Sequence, residues 1–406
     1  MASRLRLASL VSHPIQYQAP LFRALARHPD VDFTAVFLSD HGVQPTLDPG
    51  FGRVIAFDVP LVEGYRSLFV RNRAPHPHTQ TFFGAVNPGL ASVIARERFD
   101  AVWVHGYAQV SNWIGFATAA CLRIPFLIRG DSQLLVQRPL PVRSLRRLVL
   151  AMLFRAASAV LYIGQQNRRF YEWFGVPADK LFFAPYSVDN TFFAARAQAA
   201  RADGRRAALR ARIGVGADDV VVLVVGKLMG FKRPLDVVRA LARLDRRAIV
   251  VFVGDGELRA AVEEELSASG VRGIVTGFIN QSDLPDWYAA GDVAVLASDF
   301  EKWGLVVNEA MACGLPIVAS DLVGCVPDLV REGQSGAVFR ARDPEALAAA
   351  LRPLVEQPAL REQLAEGARR LVAGYDVAAA ADGIVAAATA VTHNSHRLGV
   401  HASEPN

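Results

Sequence analysis

Glu301 and Glu309 are separated by seven residues in a stretch that reads SDFEKWGLVVNEAMACGLP from Ser298 to Pro316. Apolar runs bracket it, Val293–Ala297 before and Ile317–Ala319 after, each of a length that suits a buried strand. Between them Leu305, Glu309, Ala310, Met311 and Ala312 are good helix formers, with Gly304 where the helix would start and Gly314 and Pro316 where it would stop. Glu301 then falls on the loop at a strand's carboxyl end, and Glu309 in the second helical turn, facing the same crevice. A helix N-terminus gathers N–H groups and the positive end of the dipole, and a glycine there lets an anion reach the backbone. Carboxylates that accept hydrogen bonds from diols, placed beside an anion site, suit a nucleotide sugar. Upstream, GKLMGFKRP (226–234) puts Lys227 and Lys232 five residues apart on a loop entering a helix, so both can reach one diphosphate. A fixed cation there stabilises charge developing on a leaving phosphate. Lysine is scarce in this arginine-dominated chain; two solvated lysines are the plainer alternative.

The Glu301-x7-Glu309 element, with WGLVVNEAMACGLPIVAS around it, closely resembles the E-x7-E region of retaining glycosyltransferases of family 4, which have the GT-B fold. GKLMGFKRP is similar to the same family's G-[RK]-L-x3-K element, with lysine at 227 where relatives often have arginine. The resemblance implies an α/β chain of two doubly wound Rossmann-like domains facing each other across a cleft. It implies that Glu301 grips donor-sugar hydroxyls, that N–H groups of Gly304, Leu305 and Val306 meet the diphosphate, and that Glu309 holds the ribose. Backbone around Phe278 and Ile279 in GFINQSDL would contact the base, with Phe278 as a wall or as a core residue. His105, after the apolar run Ala101–Val104, would hold the donor sugar, or simply close a strand. The implied activity is that of a retaining, metal-independent hexosyltransferase using a UDP- or GDP-sugar, with no further cofactor. The implied acceptor is a hydroxyl, with a lipid-linked glycan of surface polysaccharide or glycolipid assembly as the family-level expectation.

The elements that must position these residues alternate. Apolar runs at Leu5–Val11, Val31–Leu38, Val54–Phe57, Ala101–Val104, Pro125–Ile128, Ala159–Ile163 and Leu181–Ala184 are separated by helical stretches. A second series comprises Val220–Val225, Ala248–Val253, Gly273–Thr276, Val293–Ala297, Ile317–Ala319 and Ala337–Phe339. Such alternation predicts parallel sheets with chemistry at the strands' carboxyl ends. A chain of 406 residues suits two domains. The expected division is 1–195 as the acceptor-side domain, 196–215 as a linker and 216–374 as the nucleotide-sugar domain. Residues 375–392 would be a helix crossing back to the first domain, and 393–406 a flexible tail.

Other strand ends are less decisive. SHPIQYQAP (12–20) lacks the glycine pair many relatives carry there, so Gln16 and Tyr17 replace that phosphate contact, touch the acceptor, or only lead into a helix over Leu21–Ala26. Arg129, at another strand end, is placed to bind an anionic group. The irregular stretch 40–90, with DPGFG, EGY and NRAPHPHTQ, reads as a binding loop. His76 and His78 have no partner at metal-ligand spacing, and no Asp-x-Asp stands at a strand end, so no metal site is expected.

Composition narrows the setting. With 52% hydrophobic and 20% charged residues the chain is globular. Cys121, Cys313 and Cys325 lack metal or redox spacing and point to the cytoplasm, or the inner face of the membrane. The short run Leu7–Val11 after Arg4 and Arg6 reads as a first strand, not a leader. Residues 1–200 hold 21 Lys+Arg against 12 Asp+Glu, net +9, and the remainder is net −4. With Arg143, Arg146, Arg147 and Arg155 on one predicted helix, the first half suits peripheral contact with anionic lipid, or a solvated basic face. A sugar-nucleotide epimerase on the same fold, a phosphorylase, or a basic binding protein without catalysis are the competing classes. Nucleic acid is not an expected partner.

Overall fold

Runs of Val, Leu, Ile and Ala without polar alternation can be buried on both faces only in a parallel sheet flanked by helices. The computed structural model describes residues 4–48, 50–79, 81–134, 140–216, 218–244 and 248–401, and it contains two such sheets. The chain divides into two units: Met1–Gln44, Pro60–Tyr186 and Val377–Asn406 form one, Pro45–Val59 and Ser187–Asp376 the other.

In chain order the first strands are β1 (Leu5–Val11), β2 (Val31–Phe37), β3 (Thr46–Asp48), β4 (Arg53–Ile55), β5 (Arg66–Phe69), β6 (Ala101–His105), β7 (Phe126–Arg129), β8 (Ala159–Tyr162) and β9 (Leu181–Phe183). Seven of them form the first unit's sheet, in the order β5-β2-β1-β6-β7-β8-β9. Every pairing within it is parallel. One face buries Val102, Val104, Ile128, Phe154 and Tyr171. The other buries Phe22, Phe33, Phe37 and Trp103 with Ile384 and Ala387 of the helix Val377–His401. That helix docks at backbone contact: a Cβ on Gly383 would lie 1.9 Å from the Phe183 carbonyl oxygen.

The second unit adds β10 (Val220–Val225), β11 (Ala248–Val253), β12 (Gly273–Val275), β13 (Val293–Leu296), β14 (Ile317–Ser320) and β15 (Gly336–Phe339), in the order β12-β11-β10-β13-β14-β15. Its core is Val222, Val250, Phe252, Val295 and Val318 under Val238, Leu347 and Leu351. In both sheets the winding reverses once, between β1 and β6 and between β10 and β13. The crevice outside the carboxyl ends at such a reversal is where open α/β sheets bind ligands.

Several expectations need correction. The run Val54–Phe57 does not enter a parallel sheet; β3 and β4 pair antiparallel as a hairpin that groups with the second unit. β5, at the sheet edge, carries Arg66 and Ser67 and has no apolar run to announce it. The units divide after Tyr186, earlier than 195, and residues 196–215, expected as a linker with a surface helix, are helical within Asn190–Ala202 and Arg205–Arg212 of the second unit. The final helix continues into the segment expected as a tail, to His401; residues 402–406 lie outside those described. The basic stretch forms the helix Leu140–Ala156, with 138–139 and the Arg143 side chain outside the described residues.

Candidate active site

In the second unit, four loops line up at the carboxyl ends of β12, β11, β10 and β13. The loop after β10 carries Lys227 and ends in the short 3₁₀ turn Gly230–Lys232 before the helix Pro234–Leu241. The Gly254-Asp255-Gly256 turn after β11 braces it. Gly226 N–H donates to Val253 O at 3.0 Å and Leu228 N–H to Asp255 O at 2.9 Å. Glycine is required at 254, because a Cβ there would lie 1.8 Å from the Gly226 oxygen.

Glu301 lies on the loop after β13. Gly324 N–H donates to its carbonyl at 2.9 Å, and Cys325 N–H to that of Trp303 at 3.1 Å. Trp303 in turn donates through Nε1 to Asn308 Oδ1 at 2.8 Å, so the loop is held on two sides. The Lys232 ammonium pairs with Glu301 Oε2, their side chains 20% and 19% exposed. Gly304 begins the helix Leu305–Ala312 with φ +95°, and a Cβ on it would sit 3.4 Å from Glu301 Cγ. Cation, carboxylate and helix start are therefore together. The first N–H groups of that helix, from Leu305 and Val306, have no intrahelical acceptor.

Glu309 is one turn inside and 8% exposed. Its Oε2 accepts from the Tyr288 hydroxyl at 2.6 Å. Burial pushes its carboxyl up to about 7, against the pull of that hydrogen bond. Lys227 is engaged elsewhere, on Asp48 of the β3–β4 hairpin. Phe278 meets Phe51 of the same hairpin edge-on, with ring centroids 5.1 Å apart. Ile279 follows in the loop after β12, half-buried.

In the first unit the β1–β6 reversal gathers a separate polar cluster. His105 ends β6, with its Nε2 3.5 Å from Gln18 Nε2 and 3.3 Å from the Tyr186 hydroxyl. Tyr17 packs on Tyr186, ring centroids 5.9 Å apart. Burial, and then Asp131, push the Tyr17 hydroxyl up to about 12, so it stays a donor at neutral pH. Gln16 is half-buried in the loop beside it.

Arg129 departs from expectation. It is 2% exposed, and its Nη2 donates to the carbonyls of Ala184 at 3.0 Å and Pro185 at 2.6 Å. Its guanidinium lies over the rings of Trp103 and Tyr186. Burial pulls its pKa below the ordinary arginine value. It ties the chain after β9 to the sheet and does not open to a crevice. Gln18, Tyr186, Tyr288, Asp48 and Phe51 carry no sequence pattern that assigns them a role, although Gln18 lies beside Gln16 and Tyr17, and Asp48 and Phe51 lie in the DPGFG segment of the stretch read as a binding loop. Among the described residues, no group of three or more His, Cys, Asp or Glu is placed to hold a metal ion. No helix among them is long and apolar enough to cross a membrane.

Comparison with known proteins bears on the family and the fold. Residues 205–371 match the family model of glycosyl transferases group 1, and residues 14–187 match the glycosyl transferase 4-like domain. The chain belongs to the group 1 glycosyltransferases, family 4. Family members similar to it include alpha-D-kanosaminyltransferase of Streptomyces kanamyceticus, 34% identical over 56% of this chain and 59% of that protein. Another is D-inositol 3-phosphate glycosyltransferase of Geodermatophilus obscurus, 34% identical over 55% of this chain and 50% of the relative. The matches thus span little more than half the length of these relatives. Anabaena HepE, solved in complex with UDP and glucose, superposes with a TM-score of 0.70 at 19% identity, over 95% of this chain and 100% of that one. The fold is GT-B.

Proposed function

We propose that this group 1 glycosyltransferase is a retaining, metal-independent hexosyltransferase that moves a sugar from a UDP- or GDP-sugar to an acceptor hydroxyl. The observation that carries the proposal is the meeting of Lys232, Glu301 and the Gly304 helix start at the β10–β13 reversal. An ammonium and free helical N–H groups offer an anion a site, and a carboxylate beside it can accept from sugar hydroxyls. HepE holds UDP and glucose, which makes UDP-glucose the first donor to try.

In this reading Lys227, Lys232 and the N–H groups of Gly304, Leu305 and Val306 hold the diphosphate. Glu301 grips the sugar, Glu309 the ribose, and Phe278 with Ile279 the base. Within the first unit, His105 serves the sugar, and Gln16 and Tyr17 the acceptor. The anomeric carbon–phosphate oxygen bond breaks with its electron pair going to phosphate. The acceptor oxygen bonds to the same face of the carbon, and its proton passes to the leaving phosphate. The cations act where that negative charge develops, and removing one should cost about 10²–10³-fold in rate. The acceptor is proposed to be lipid-linked, a reading favoured by the exposed Leu145, Leu148 and Met152 on an arginine-bearing helix.

Transfer from UDP-glucose and GDP-sugars, with Lys232→Ala and Glu301→Ala beside wild type, tests this. Both variants should fold, bind nucleotide more weakly or release no sugar, and transfer at background. Full transfer by both would reject the site.

A further inference from the structure

The β3–β4 hairpin offers two half-buried features of the candidate donor site, Lys227 and Phe278, an anion and an aromatic ring. Asp48 Oδ1 and Oδ2 accept from Lys227 Nζ at 2.7 and 3.0 Å. The hairpin tip lies along the same side chain: a Cβ on Gly50 would be 2.7 Å from both Lys227 Cδ and Nζ. Phe51, three residues after Asp48, meets Phe278 edge-on, and the Lys227 ammonium lies 4.7 Å from its ring centroid. Arg53 lies over the other ring, 5.8 Å from the Phe278 centroid. Beyond β4 the chain is fastened again, by Asn280 Nδ2 donating to Ala56 O at 2.7 Å and Ser282 N–H donating to Asp58 Oδ1 at 3.2 Å.

These contacts reproduce the chemistry of a nucleoside diphosphate. A carboxylate stands on the lysine assigned to the diphosphate, and a ring stands against the residue assigned to the base. The rings touch at their van der Waals limit, so no base can stack on that part of Phe278 while Phe51 is there. Lys227 has its charge balanced by Asp48 and can meet phosphate only by giving that partner up or sharing it. Asp48 is fixed in its pose by the N–H groups of Gly50 and Phe51, at 2.8 and 3.2 Å.

We propose that the hairpin is an internal competitor of the donor, with Asp48 in place of a phosphate and Phe51 in place of the base. It rests on the functional reading above. A donor binds only when the hairpin lets go, so its apparent affinity is reduced by the fraction of molecules in which the hairpin is bound. The two grips are of the modest strength that permits release, one half-buried ion pair whose side chains are each about one-third exposed and one aromatic contact.

The test is titration of UDP, and separately of GDP, into wild type, Asp48→Ala, Phe51→Ala and Lys232→Ala, with hydrogen exchange of residues 46–55 read with and without UDP. Asp48→Ala and Phe51→Ala should each tighten UDP binding about three- to fivefold. UDP should speed exchange across β3 and β4 in wild type. If UDP binds wild type but either substitution weakens it, or UDP slows exchange there, the hairpin is part of the donor site and the proposal is overturned. If UDP binds, Lys232→Ala weakens it, and both hairpin variants match wild type, the competitor fails while the functional reading stands. No binding of UDP or GDP to any of the four proteins would overturn the functional reading and the competitor with it.

Discussion

The Tyr288 hydroxyl donates to Glu309 Oε2 at 2.6 Å, in a site where both side chains are buried. Tyr288 stays protonated, since burial and then the neighbouring Glu309 charge raise its pKa well above the ordinary value. One carboxylate oxygen is thereby oriented, and in the proposed function the carboxylate takes the ribose diol. With its carboxyl pushed up to about 7, Glu309 binds a proton across the mildly acidic range. A ribose diol donates to the ionised form, so nucleotide binding should expel that proton. Affinity for UDP should rise about tenfold from pH 6 to 8 in wild type relative to Glu309→Gln. The nucleotide's own phosphate titrates in both proteins, and the ratio isolates Glu309. A ratio that is flat with pH would mean Glu309 does not meet the ligand.

Gly304 makes a second prediction. Its φ of +95° is strained for any side chain, and a Cβ would come 2.8 Å from Leu296 Cδ2. Gly304→Ala should lose about 1–3 kcal/mol of stability in a urea titration and displace Glu301 with the helix start. Gly52→Ala is the control: φ is +64°, but the added Cβ meets nothing within 4 Å. It should lose about 1 kcal/mol or less. Equal losses would show that backbone strain alone matters at 304 and that the Glu301 loop tolerates the shift.

Much of this was legible from periodicity. Val220–Val225 and Ala248–Val253 are strands over the ranges their apolar runs predict, because they are uninterrupted aliphatic runs of the kind a sheet covered on both faces takes, and Leu5–Val11 keeps its predicted range although it carries Arg6 and Ser9. The Glu301 and Lys232 positions follow from strand ends and a glycine start, both local signals. What could not be read depends on distant pairing. Asp48 meets Lys227 across 179 residues, and DPGFG looks like any loop until it is folded. Arg129 looked like an anion binder by type and place; only the carbonyls of Ala184 and Pro185 show its other use.

His13 and Glu309 predict an unusual pH profile of stability. Burial, and then His41, lower the His13 pKa to about 4. Between pH 4 and 6.5 the unfolded chain binds that proton and the folded chain does not, so the His13 contribution falls as pH falls. Glu309 acts in the opposite sense. Its folded pKa is raised, so its contribution is full below about 4.5 and is lost as pH rises through 7. Each has a limiting slope of about 1.4 kcal/mol per pH unit, and between pH 4.5 and 6.5 they oppose. His13→Gln should therefore be less stable at pH 6.5 than at 4.5, and Glu309→Gln more stable, relative to the wild-type change. Denaturant midpoints at the two pH values read this, and parallel shifts in all three proteins would contradict it.

The helix Leu140–Ala156 contains no acidic residue, and Leu145, Leu148 and Met152 stand 66%, 61% and 64% exposed at spacings of three and four. That spacing puts them on one face. Arg147 lies 4.4 Å from the ring centroid of Trp173, itself 38% exposed, and Arg155 is exposed near the helix end. Apolar side chains rimmed by arginine match the boundary of an anionic bilayer, where the chains sink and the guanidinium groups meet phosphate. Vesicles containing phosphatidylglycerol should sediment the protein, with binding that falls as salt rises, while purely zwitterionic vesicles should bind it far less. Leu148→Glu with Met152→Glu should reduce partitioning by about tenfold or more without lowering the melting temperature, because neither side chain supports the core. A melting temperature that drops with partitioning would assign the stripe to folding, and undiminished binding would place the lipid contact on another face.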